Sequence, residues 1–108
     1  MAYDLDLADR IRELVATEKG LDEKKMFGGL AFLINGNMSV SASGKGGLLV
    51  RVDPKDTPTL VNKHVHTAVM GGREMNGWLR VDAEILDDTH LKEWVDRCVA
   101  FARSLPAK

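Results

Sequence analysis

Residues 30–43 read LAFLINGNMSVSAS: an apolar run, an Asn-Gly pair and an alternating run. Asn35 and Gly36 both tolerate the positive φ that a type I′ turn needs, so the pair predicts a two-residue hairpin. A tight hairpin fixes its own register, which commits the middle of the chain to an antiparallel sheet. LAFLIN is apolar at almost every position and reads as a strand covered on both faces, or one whose outer face is merely apolar. NMSVSAS alternates Met38, Val40 and Ala42 with Ser39, Ser41 and Ser43, the pattern of a strand with one wet face.

Other elements fall on either side of this hairpin. Leu7, Ile11, Leu14 and Val15 repeat at helical spacing and predict a helix over about residues 5–19. Asp4 or Asp6 would cap it, and Gly20 would close it in a left-handed turn. KKMFGG reads as a short strand before the hairpin, with Gly28 and Gly29 as a bulge or tight bend. GKGG (44–47) is the next turn and LLVRV (48–52) the next strand, ended by Asp53-Pro54. Pro54 or Pro58 can open a short helix. HTAVM is then a brief extended piece, GGREMNG a glycine-rich connection, and WLRVD (78–82) the last strand. Asp87, Asp88 or Thr89 would cap a final helix whose apolar face is Leu91, Trp94, Val95, Cys98, Ala102 and Leu105, stopped by Pro106. The order predicts an α+β fold: two layers, a mainly antiparallel sheet of about five strands, and helices on one face. At 108 residues the chain is expected to be one domain.

Composition narrows the function classes. The longest apolar run is a few residues, too short to span a bilayer. The acidic N-terminus MAYDLDLADR is not a secretory signal. The single cysteine, Cys98, cannot form an intramolecular disulfide, so a cytoplasmic home is expected. The net charge of −1 hides an uneven layout, with −4 over residues 1–23, +5 over 24–80 and −2 over 81–108. The basic middle section suits an anionic partner, nucleic acid included, but Lys and Arg do not cluster in a run.

The candidate chemistries are thin. Neither glycine group has the G-x-x-x-x-G-K-[ST] order, and both open strands, where no helix N-terminus awaits a phosphate. His64 and His66 share a face if extended, but no H-E-x-x-H or C-x-x-C spacing accompanies them, so they read as surface histidines beside Lys63. Cys98 lies on an apolar helix face and reads as a buried thiol. The serines lack a G-x-S-x-G elbow. No catalytic residue, metal or cofactor is therefore expected. Of the aromatic residues Phe27, Phe32, Trp78, Trp94 and Phe101, Trp78 beside Arg80 is the pair to test for stacking, against the plainer reading of Trp78 packed on a helix.

The strings KMFGGLAFLINGNM (25–38), LLVRV (48–52), GREMNGWLRVD (72–82) and LKEWVDRCVAFARSLP (91–106) resemble the TfoX N-terminal domain family of bacterial competence regulators, over nearly the whole chain. Met26, Phe27, Gly28, Gly29, Gly36, Arg73, Met75 and Gly77 match the family pattern without assigned chemistry. The resemblance implies a two-layer α+β fold similar to the secretion-chaperone architecture. It also implies a regulatory or binding role without established catalytic residues. The competence regulator carries a second, helical domain, and this chain is expected to be a single-domain member. The leading expectation is a cytoplasmic module acting by protein–protein contact, a homodimer included. The second is nucleic-acid binding. The anion or partner contacts are expected among Lys24, Lys25, Arg51, Arg73, Trp78 and Arg80. An uncharacterised enzyme with a polar pocket near Arg73 and His66 is the third.

Overall fold

A computed structural model describes residues 4–26 and 28–107, with Met70 described by its backbone alone. Phe27 lies outside the described residues. The elements run α1 (Leu5–Val15), β1 (Leu21–Met26), β2 (Gly29–Ile34), β3 (Asn37–Ala42), β4 (Leu48–Arg51), α2 (Thr57–Leu60), β5 (Val65–Met70), β6 (Arg73–Val81) and α3 (Asp88–Ser104). Single 3-10 turns precede α2 and α3, at Pro54–Asp56 and Ala83–Ile85. The strands form one antiparallel open sheet in the order β1-β2-β3-β4-β6-β5. The expected α+β class holds, with six strands where about five were expected.

Local chemistry sets the ends of the elements. Asp4 caps α1 by accepting from the backbone N–H of Leu7 at 3.2 Å. The helix stops at Val15, four residues before its expected end. The chain turns there, with the N–H of Glu18 bonded to the carbonyl of Val15. Gly20, at φ +74°, therefore belongs to the approach to β1 and not to the helix cap. Asn35 and Gly36 take φ of 52° and 83°, the two positive values of a type I′ hairpin. Gly29 opens β2 at a close approach, where a Cβ would meet the carbonyl oxygen of Ala42 at 2.1 Å. Asp87 caps α3 by accepting from the N–H of His90 at 2.8 Å.

Pleating divides the sheet into two faces. Leu30, Phe32, Ile34, Val40, Ala42, Leu48, Val50, Leu79 and Val81 join Leu7, Ile11 and Val15 of α1 and Leu91, Val95, Cys98 and Ala102 of α3 in the main core. Leu60 of α2 packs on the same side. Arg12 of α1 reaches over the sheet margin to both carboxylate oxygens of Glu23, at 2.9 and 2.8 Å, and holds that carboxyl below its usual range. The second face carries a smaller cluster of Ala31, Leu33, Met38, Leu49 and Ala68, with Met26 and Trp78 against it.

The wet face expected for β3 does not exist, because all six residues of the strand are buried. The helices cover one side and the second cluster flanks the other. Ser39 donates to the carbonyl of Phe32 at 2.7 Å, and Ser41 to that of Ala42 at 3.4 Å. A hydroxyl that bonds a nearby carbonyl can be buried at little cost, so alternation of Ser with apolar residues does not imply solvent here. The second difference lies at GGREMNG. Only Gly71-Gly72 turns, and Arg73 already begins β6. The brief extended piece is a full six-residue strand, β5.

Candidate functional site

The six residues expected to contact a partner occupy separate places. Lys24, Ala31, Ser41, Leu49, Arg80 and His66 pair in succession across all six strands. Lys24 and Lys25 are exposed on the β1 edge. Arg80 stands four strand spacings away, roughly 19 Å at about 4.8 Å per strand. The Nη1 of Arg80 donates to Ser43 Oγ at 3.0 Å. Arg51, and not Arg80, lies over the Trp78 ring, 5.5 Å from its centroid, and also 5.9 Å from that of Phe101 on α3. Trp78 packs against the second cluster, and Arg51 bridges it to Phe101 of α3 by cation–π contact. Arg73 is exposed near the tip of the β5–β6 hairpin. Of the six, Arg51 and Trp78 are brought into contact.

The two edges of the sheet differ in kind. β1 reads Leu-Asp-Glu-Lys-Lys-Met, with four charged residues in six. Such charge is how natural sheets discourage pairing at an edge. β5 reads Val-His-Thr-Ala-Val-Met and carries no Lys, Arg, Asp, Glu or Pro. Val69 on this edge is 52% exposed, the most exposed large hydrophobic residue among the described residues. β6 is nine residues long, but β4 pairs only with its second half, Trp78–Val81. The first half and the matching part of β5 therefore project as a two-stranded arm.

A third region was not legible from spacing. At the start of β5, His64 Nδ1 lies 3.0 Å from Glu84 Oε1 and 3.4 Å from Asp82 Oδ2. His66 Nε2 lies 3.2 Å from the other oxygen of Asp82. Backbone bonds tie the two segments, since the N–H of Asp82 donates to the carbonyl of His64 at 2.9 Å. The N–H of His64 in turn donates to Asn62 Oδ1 at 2.8 Å. His64 also borders a cleft of about 490 Å³ lined in part by Lys63, Asp87, His90, Trp94 and Arg97. Neither Arg73 nor His66, expected to mark a polar pocket, lines this cleft. Within it His90 Nδ1 lies 2.8 Å from Asp87 Oδ1. The backbone N–H of His90, and then its ring, hold the Asp87 carboxyl below its ordinary value. The partners of His64 escaped the sequence reading because residues 54–70 did not reveal which strand they would pair with.

Cys98 is fully buried, and loss of hydration pushes its thiol up to about 12. The thiolate is the reactive form, so this cysteine should be inert in the folded protein. At pH 8 a water-soluble disulfide reagent should label it only after denaturant is added. Rapid labelling of the native chain would contradict its place in the core.

No helix among the described residues is long and apolar enough to cross a membrane. No curated protein and no solved structure shows significant similarity to the chain. The family model of the TfoX N-terminal domain matches residues 13–102, which takes in every strand, α2, the last turn of α1 and α3 up to its last two residues. The chain thus belongs to the TfoX N-terminal domain family.

Proposed function

We propose that this protein is a non-catalytic regulatory module that works by protein–protein contact at the edge of β5 beyond Val65, whose own outer N–H and carbonyl are bonded to Asn62. The observation that carries the reading is the contrast between the two sheet edges. β1 is guarded by Asp22, Glu23, Lys24 and Lys25, whereas β5 presents an uncharged strand with Val69 exposed. An edge of this kind can accept a further strand, with main-chain hydrogen bonds giving affinity and alternate side chains giving selectivity. The Gly-Arg-x-Met-x-Gly stretch of the family pattern (72–77) lies on the same arm. Arg73, Glu74 and Asn76 there are exposed, so most of the stretch serves the surface and not the core.

A second copy of this chain is the simplest occupant, because two antiparallel β5 edges are self-complementary about a two-fold axis. A role in competence or transcriptional regulation, suggested by the family, would then run through this contact.

Sedimentation of the wild type from low to high micromolar concentration tests the reading. Dimer should accumulate with concentration and disappear in Val69→Lys, while Leu5→Lys, at an exposed site on α1, should sediment as the wild type does. A dimer that survives Val69→Lys would place the contact elsewhere. A different protein crosslinked at β5 would keep the edge and replace the occupant.

A further inference from the structure

We propose that His64, Asp82 and Glu84 form a binding site for a divalent cation of the zinc type, with His66 orienting Asp82 from behind. The three residues place one potential ligand atom each within 4.8 Å of one another. Tetrahedral zinc with arms of about 2.0–2.1 Å puts neighbouring donor atoms about 3.3–3.4 Å apart. The two separations from His64 Nδ1, 3.0 and 3.4 Å, already lie near that edge length.

Hydrogen bonding alone leaves the cluster unbalanced. Two carboxylates face one ring nitrogen, and a neutral imidazole nitrogen carries at most one hydrogen. A divalent cation would instead accept a lone pair from His64 Nδ1 and one from each carboxylate. Imidazole together with carboxylate favours zinc, nickel or cobalt over calcium or magnesium, which take oxygen donors.

The surroundings hold the donors in place. The Asp82 backbone is bonded to that of His64, and Asp82 also opens the 3-10 turn that carries Glu84. His66 meets the Asp82 oxygen that does not face His64, at 3.2 Å. That is the position from which an outer partner fixes a ligating carboxylate. A water or a group entering the neighbouring cleft would complete the coordination. The donors gather at the start of β5, while Val69 lies near its other end, so the site and the edge contact can fail independently.

Calorimetric titration of zinc sulfate into untagged, chelator-treated protein tests the site. The wild type should bind one equivalent saturably. Glu84→Gln, at a residue 69% exposed and so harmless to folding, should weaken binding at least about tenfold. His64→Ala should abolish it. His66→Ala should weaken it by about 10–100-fold, as expected for an outer partner. His90→Ala should leave it intact. Cobalt chloride should give the intense d–d absorption of tetrahedral cobalt with the wild type, and only the weak absorption of aqueous cobalt with His64→Ala. Absence of saturable zinc binding by the wild type, or unchanged affinity in both Glu84→Gln and His64→Ala, would overturn the proposal. So would loss of binding in His90→Ala, which would move the ion to the Asp87–His90 pair.

Discussion

Replacing Phe32 with alanine is expected to lower the unfolding free energy by about 3–5 kcal/mol. Phe32 is fully buried in β2 and is the largest of the wholly buried side chains among the described residues. Its ladder partners are Glu23 on β1 and Val40 on β3, and α1 and α3 close the main core around it. Removing the ring takes away its burial and leaves a cavity that two rigid neighbouring strands cannot fill. Domains of this kind are stable by about 5–15 kcal/mol, so the loss is a large share of the total. Urea unfolding followed by circular dichroism would measure it. A loss below about 1 kcal/mol would mean that the core is not centred on β2.

The second large effect belongs to a glycine. Gly47 has φ of +68°, and a Cβ there would meet the Val81 carbonyl oxygen at 2.1 Å and the Ala83 N at 3.1 Å. Both neighbours are backbone atoms at the β6 exit, so neither can rotate away. Gly47→Ala should therefore cost about 2–5 kcal/mol, combining left-handed backbone strain with forced displacement. Gly46 supplies the control. Its φ is +90°, but nothing lies within 4 Å of an added Cβ. Gly46→Ala should cost about 1–2 kcal/mol, from strain alone. Thermal melts of the two variants side by side would separate the effects. Equal losses would show that the β4–β6 approach is looser than described.

Much of the fold was legible because the deciding signals are local. Asn35-Gly36 needs only its own dihedral freedom to make a hairpin. Asp4 and Asp87 need only a backbone N–H three residues on. The failures share a different cause. The alternation Ser39, Ser41, Ser43 is a strand signal, but its wetness depends on what lies above the second face and on carbonyls that can accept the hydroxyls. Gly71-Gly72 and Gly77 together look like one loop. Yet Gly77 lies inside β6 at φ +86°, packed near the Val52 carbonyl and Pro54, a contact set by distant chain.

The site was less legible than the fold for the same reason. Lys24, Lys25, Arg51, Arg73 and Arg80 form a basic section in sequence. Strand order then spreads them from the β1 edge to the β5–β6 arm. His64 and Asp82 are eighteen residues apart, and only the β5–β6 pairing brings them together. The β5 edge became visible only when β5 proved to be the last strand of the sheet.

Hydrogen exchange of the β5 amides tests the edge contact most directly. Protection over His66–Met70 should rise as protein concentration passes from low to high micromolar, while β1, the guarded edge, stays unchanged, and Val69→Lys should remove the rise. Exchange over β5 that is independent of concentration, in a chain that remains monomeric throughout and captures no other protein at this edge, would contradict it.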